Sequence, residues 1–171
     1  MMEEANEMIV VGIDPGWRNF AVTFVRVDSS GWHTLTSENV DLLPNRKRYN
    51  LQAMRCALDK WYLSYRHILL GAKIVIEKQM YLRMQNIVSH LCFLMPHAVL
   101  LSPILIKKEF NISTGRHYTN KKAVVELCKH MVDVNDTFKS SHNKLDSMIL
   151  AYYYAKHMLK LNVPDLKDIK F

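Results

Sequence analysis

Met8-Ile9-Val10-Val11-Gly12-Ile13-Asp14 is a near-continuous apolar run that closes on a carboxylate, and Pro15-Gly16 breaks it. Such a run reads as a strand buried on both faces, inside a sheet covered by helices. Residues 20–27 (F-A-V-T-F-V-R-V) are rich in β-branched and aromatic side chains, and Ser29-Ser30-Gly31 supplies a turn. Residues 32–40 form a third, more polar strand. Three strands joined by short turns predict an antiparallel meander.

Downstream the period changes. After Leu43-Pro44-Asn45 and the basic cluster Arg46-Lys47-Arg48, the residues Leu51, Met54, Leu58, Trp61, Tyr62 and Tyr65 recur at steps of three and four. That is an amphipathic helix, and Gly71 ends it. Lys73-Ile74-Val75-Ile76-Glu77 is a short buried strand, again closing on a carboxylate. Residues 81–95 are helical by pattern and Pro96 stops them. Residues 97–102 make a fifth strand that enters a short helix at Pro103. Thr119 predicts the N-cap of a helix to about residue 131, and residues 143–161 a last helix that ends before Pro164. The order predicts an α/β protein, a mixed five-stranded sheet flanked by helices, with right-handed strand–helix–strand crossovers.

At 171 residues, without repeats or an internal linker, the chain fits one domain. Residues 1–7 and 163–171 read as loose tails. No window holds about 18 uncharged apolar residues, so no membrane span is expected. The acidic start, Met1-Met2-Glu3-Glu4-Ala5-Asn6-Glu7, is unlike a secretory signal, which points to an intracellular protein. Cys56, Cys92 and Cys128 lack zinc-type spacing and read as small core residues. The net charge of +7, from 23 Lys+Arg against 16 Asp+Glu, suggests a polyanionic partner.

Three acids stand where apolar or neutral residues are the rule. Asp14 and Glu77 end buried strands, and Asp146 lies near the start of the last helix. Carboxylates are rarely buried unless paired or bound to a cation. If the two strands are neighbours, Asp14 and Glu77 project from one sheet edge, and the last helix need only cross that edge to add Asp146. Hard oxygen ligands of this kind suit Mg²⁺ or Mn²⁺, and two such ions can drive phosphodiester hydrolysis. Each acid also has an ordinary reading: a turn residue for Asp14, an exposed strand end for Glu77, a first-turn helix acid for Asp146.

Gly12-Ile13-Asp14-Pro15-Gly16 followed by Asn19-Phe20-Ala21-Val22 resembles the opening of RuvC-type Holliday junction resolvases, members of the RNase H-like superfamily found in bacteria, phages and large DNA viruses. Val75-Ile76-Glu77-Lys78-Gln79 leading into a helix is similar to their second acidic motif. Asp146-Ser147-Met148-Ile149-Leu150-Ala151 is similar to their last acidic helix. Lys107-Lys108 and Tyr118-Thr119-Asn120-Lys121-Lys122 resemble their basic strand-to-helix region. The likeness runs from about residue 9 to residue 157, with the motifs in order.

The resemblance implies a single RNase H-like nuclease domain over residues 1–171, acting as a homodimer in a DNA-containing compartment. It implies paired symmetric nicks across a four-way DNA junction and two Mg²⁺ per active site held by four acids, with Mn²⁺ able to substitute. The third acid of the pattern falls at Asn143, which is neutral. Asn143 offers a carbonyl oxygen and His142 an imidazole, so the second ion is expected to bind more weakly.

Lys121 and Lys122 open a helix and are expected near the scissile phosphate. Lys107, Lys108, Arg116, His117 and Arg83 are expected on the DNA backbone. Tyr81 stands where relatives carry an aromatic that stacks on unpaired bases. Arg46-Lys47-Arg48 reads equally as a solvated loop or a DNA contact. Tyr152-Tyr153-Tyr154 reads as core. The apolar face of residues 81–95, with Leu82, Met84, Ile87, Val88, Leu91, Leu94 and Met95, is wider than one stripe and suggests a dimer interface with Ile87 or Leu91 pointing outward. Two other readings stand beside the resolvase: a nuclease of RNA–DNA hybrids, and a catalytically weakened junction-binding protein, which Asn143 favours.

Overall fold

In β1 (Met8–Asp14) the side chains alternate between two cores, because successive residues of a strand point to opposite faces. A computed structural model describes residues 7–45, 47–112, 117–128 and 138–169, with the side chains of 117–121 and 138–141 outside the description. β1 pairs antiparallel with β2 (Phe20–Asp28), which pairs antiparallel with β3 (Gly31–Val40). On its other side β1 pairs parallel with β4 (Lys73–Glu77), and β4 pairs parallel with β5 (Val99–Leu101). The sheet order is β3-β2-β1-β4-β5. This is the expected mixed five-stranded sheet, with the meander on one side and the parallel strands on the other.

Two helical layers cover it. α1 (Leu51–Leu69) starts at Asn50, whose side chain accepts a hydrogen bond from the Ala53 amide at 2.8 Å. With α2 (Leu82–Leu94) it packs Met54, Leu58, Trp61, Ile87 and Leu91 against Val11, Ile13, Val22, Phe24, Ile74 and Ile76. The opposite face carries Val10, Val25, Val27 and Val75. It is covered by α3 (Pro103–Glu109), α4 (His117–Leu127) and α5 (Phe138–Tyr153). α3 begins with Ser102 as cap and Pro103 in the first turn, where a missing N–H costs nothing. α5 passes into a π-helical turn at Tyr154–Met158.

Several expectations are corrected. Ile87 and Leu91 are fully buried in the α1–α2 core and do not face outward; the exposed apolar residues of α2 are Leu82 and Phe93. The extra apolar width of α2 is used against both the sheet and α1. Cys56 is exposed and Cys92 half-buried, so only Cys128 is a core cysteine. Thr119 lies inside α4, not at its cap. α5 begins at Phe138, five residues before the expected start at Asn143. The C-terminal segment is not a loose tail through residue 169: Leu166 and Ile169 are buried, and the Tyr152 hydroxyl donates to the Pro164 carbonyl at 3.0 Å. Among the described residues no helix is long and apolar enough to cross a membrane.

Candidate active site

The pairing of β1 with β4 decides where the first two acids go. Ile13 stands opposite Ile76, so Asp14 and Glu77 are the next step along two adjacent parallel strands. Both share the parity of Val10, Gly12 and Val75, which puts them on the α5 side of the sheet. Their side chains hydrogen-bond each other, and Gln79 Nε2 donates to Glu77 Oε2. Two carboxylates in contact need a proton or a cation between them. Burial pushes Glu77 above its ordinary carboxyl value; the bonds from Asp14 and Gln79 and the charge of Lys107 oppose that rise.

The third acid arrives through a glycine and a serine. A Cβ at Gly12 would lie 2.0 Å from the Ser147 carbonyl oxygen and 2.9 Å from the Ala151 amide, so only glycine lets α5 lie this close to β1. Gly12 pairs with Thr23, and Thr23 with Ser37, in one row across the sheet. On that row the fully buried Thr23 hydroxyl meets Ser147 Oγ at 2.7 Å and Ser37 Oγ at 2.9 Å, while Ser147 Oγ donates to the Lys144 carbonyl at 2.8 Å. Such a satisfied buried chain sets both the depth and the rotation of the helix. Asp146, beside Ser147, therefore sits mid-helix at the sheet edge. It is not a first-turn acid, and the helix dipole does not account for it.

Asp14, Glu77, Asp146, Asn143 and His142 line one cleft of about 380 Å³, with Lys78, Gln79, Met80, Tyr81 and Lys107 on its rim and Ile106, Ile112, Val124 and Ile149 as an apolar wall. His142 and Asn143 are 3% and 6% exposed. The Asn143 amide nitrogen has no hydrogen-bond partner among the described residues. A 180° turn of the amide, which exchanges O and N in nearly the same shape, would turn its oxygen to where that nitrogen stands. Among the described residues no three His, Cys, Asp or Glu side chains form a closed metal cluster. The donor set, a carboxylate pair with a third carboxylate and an amide on the same wall, nonetheless fits a hard divalent cation better than any apolar or thiolate-bound group.

The basic residues divide. Lys107 is half-buried on the cleft beside Glu77, whereas Lys108 is exposed and outside it. Lys122 is exposed on α4 and is not a cleft residue. Arg116 lies outside the described residues, as do the side chains of His117 and Lys121. Tyr81 is 78% exposed at the rim, and the Arg83 guanidinium stands 5.9 Å from the centre of the Tyr49 ring. Sequence reasoning missed Gln79 as the partner of Glu77, although it lies within the motif. Cys128, expected in the core, is buried there, and its thiol is pushed up to about 12, mainly by desolvation and partly by the charge of Asp146. Nothing in the local sequence signals that neighbour.

No protein-family model matches the chain. No curated protein matches it either. Solved structures do. T. thermophilus RuvC in complex with a Holliday junction substrate superposes with a TM-score of 0.59 and 13% identity, over 88% of this chain and 97% of that one. Another Thermus thermophilus RuvC structure gives 0.60 and 13%, over 87% and 96%. The yeast mitochondrial Holliday junction resolvase gives 0.58 and 16%, over 83% and 75%. With the sheet order and the helical layers described above, these matches show that the chain has the RNase H-like fold in its RuvC-type form.

Proposed function

We propose that this chain is a metal-dependent DNA endonuclease that resolves four-way junctions by paired symmetric nicks, in recombination or repair within an intracellular DNA compartment. The observation that carries this reading is the contact between Asp14 and Glu77 at adjacent strand ends, with Asp146 on the same cleft. The fold supports it, since one superposed protein is bound to a Holliday junction and another is a Holliday junction resolvase.

Asp14, Glu77 and Asp146 would hold Mg²⁺, or Mn²⁺ in its place, with the Asn143 amide oxygen and the His142 imidazole as neutral donors for a second ion. Bound there, the ions lower the pKa of water and neutralise charge on the phosphate. Asp14 and Glu77 are held in place by the strands, and Gln79 orients Glu77 by its hydrogen bond. Lys107 adds positive charge beside Glu77, where a phosphate would enter. Lys122, exposed on α4 outside the cleft, and Lys121 beside it would meet the strand as it leaves the cleft, with Lys108, Arg116 and His117 on the backbone around it. Tyr81, exposed at the rim, would stack on a base left unpaired at the crossover. A homodimer would present two such clefts to the two equivalent strands.

The test is incubation with a labelled four-way junction, a linear duplex and an RNA–DNA hybrid, in Mg²⁺ and in EDTA. Paired nicks on the junction alone, abolished by EDTA, are expected. Preferred cleavage of the hybrid would replace this reading with that of a hybrid nuclease. Asn143 favours one second reading, a weakened junction-binding protein. Tight junction binding without cleavage even in Mn²⁺, reversed by Asn143→Asp, would establish it.

A further inference from the structure

β3 runs parallel to β1 across β2, so β1, β3 and β4 all end at the edge that carries Asp14 and Glu77. Residues 15–19, 41–45, 47–50 and 78–81 therefore lie at the same edge of the sheet. On the α1–α2 side these loops and the first turn of α2 bring four side chains into a chain of contacts. The Arg18 guanidinium lies 4.6 Å from the centre of the Trp17 ring. Trp17 meets Tyr49 edge-on, with 6.0 Å between ring centres and 81° between planes. Arg83, in the first turn of α2, reaches the far side of this group at 5.9 Å from the Tyr49 ring. The Trp17 carbonyl accepts the Leu42 amide at 3.0 Å, which ties two of the loops together.

A cation–aromatic contact is often a staple between loops, and one arginine suffices for that. Here two arginines sit on one pair of rings, and Lys47 and Arg48 stand exposed just before Tyr49. Residues 15–19, 41–50 and 78–83 contain Arg18, Arg46, Lys47, Arg48, Lys78 and Arg83 against one acid, Asp41. An excess of positive charge on loops beside the cleft attracts a polyanion. The rings hold the guanidiniums in a fixed orientation, so less rotamer freedom is lost on meeting a phosphate.

Resting on the DNA-cleaving reading above, we infer that the Arg18–Trp17–Tyr49–Arg83 group is a second phosphate-binding wall. It grips the backbone of a DNA arm on the α1–α2 side of the cleft, opposite Lys107 and α4 on the other side. Its contacts are with phosphates and carry no base preference.

The experiment measures junction affinity in EDTA against salt for the wild type and for the double variant Arg18→Gln, Arg83→Gln. Each lost phosphate contact lowers the log–log slope by about 0.9, so the pair should lose about two units of slope and bind roughly 100-fold more weakly near 0.1 M salt. Unchanged slope and affinity in a folded variant would overturn the inference. Should circular dichroism show that variant unfolded, the single variants Arg18→Gln and Arg83→Gln replace it: a slope lower by about one unit in either supports the wall, and no change in both overturns it. A wild type that binds linear duplex as well as junction would defeat the junction reading, while a reduced slope on either DNA would still support the wall. A wild type that binds no DNA would defeat both.

Discussion

Glu77 is a carboxyl group buried at a strand end, and burial favours its protonated form against the opposing bonds from Asp14 and Gln79 and the charge of Lys107. Its pKa in the folded chain is raised above the ordinary value of 4.5. The folded state then holds this proton more tightly than the unfolded one. The stability it contributes is fully present below pH 4.5 and is lost as pH rises through the folded value. In EDTA the melting temperature of the wild type should therefore fall over that range, and that of Glu77→Gln should fall less. Added Mg²⁺ should restore the wild type at neutral pH and leave the variant unmoved. Glu77→Gln and Asp14→Asn should each lower cleavage by about 100-fold or more while junction binding persists, because they remove metal charge and not phosphate contacts. Substantial nicking by either variant would remove the site from these residues. Asn143→Asp restores a fourth acid on the cleft and should lower the Mg²⁺ concentration for half-maximal activity by about 10–100-fold, on the scale at which changes around a metal site act. A Mg²⁺ titration of the two proteins decides this.

At the scale of elements, α5 is seated by contacts that its own sequence does not announce. Gly12 leaves the space, and Thr23 and Ser147 supply the buried bond. Gly12→Ala would drive a methyl group into the Ser147 carbonyl, so α5 must lift or slide. Overpacking of this kind costs about 1–3 kcal/mol or more, and the displacement also carries Asp146 away from Asp14. Denaturant unfolding and cleavage should both suffer. A variant with native stability and full activity would show that the seating does not position the site. α2 gives the contrasting case. Its helical pattern is plain, yet the side chains that face solvent are not those expected from the width of its apolar face. Ile87 is buried, so a charge there should unfold the protein instead of splitting a dimer.

For the molecule as a whole, the apolar side chains that α2 leaves to solvent are Leu82 and Phe93, 73% and 79% exposed. If α2 forms the two-fold contact of the proposed homodimer, Phe93→Glu should give a folded monomer that nicks one strand at a time without coordinated resolution. Sedimentation at micromolar concentration reads the mass, and the ratio of nicked to resolved junction reads the coordination. A monomeric wild type that still makes paired cuts would end the dimer proposal.

The sequence alone marked the strands and helices and named all three acids, although it set Asp146 near a helix start where the structure has it mid-helix. Apolar runs and three-to-four spacing are local, and a carboxylate at the end of such a run is visible without knowing its neighbours. Asp14 and Glu77 were legible for that reason, as were β1 and β4 to the residue. What only the tertiary structure decided depends on distant partners: which way α2 turns, that the segment through Ile169 packs down, and that Cys128 lies beside Asp146. Thr23 and Ser147 are 124 residues apart and bonded at 2.7 Å. A pairing over that span leaves no period in the chain, and it is this pairing that turns a mid-helix aspartate toward two strand ends.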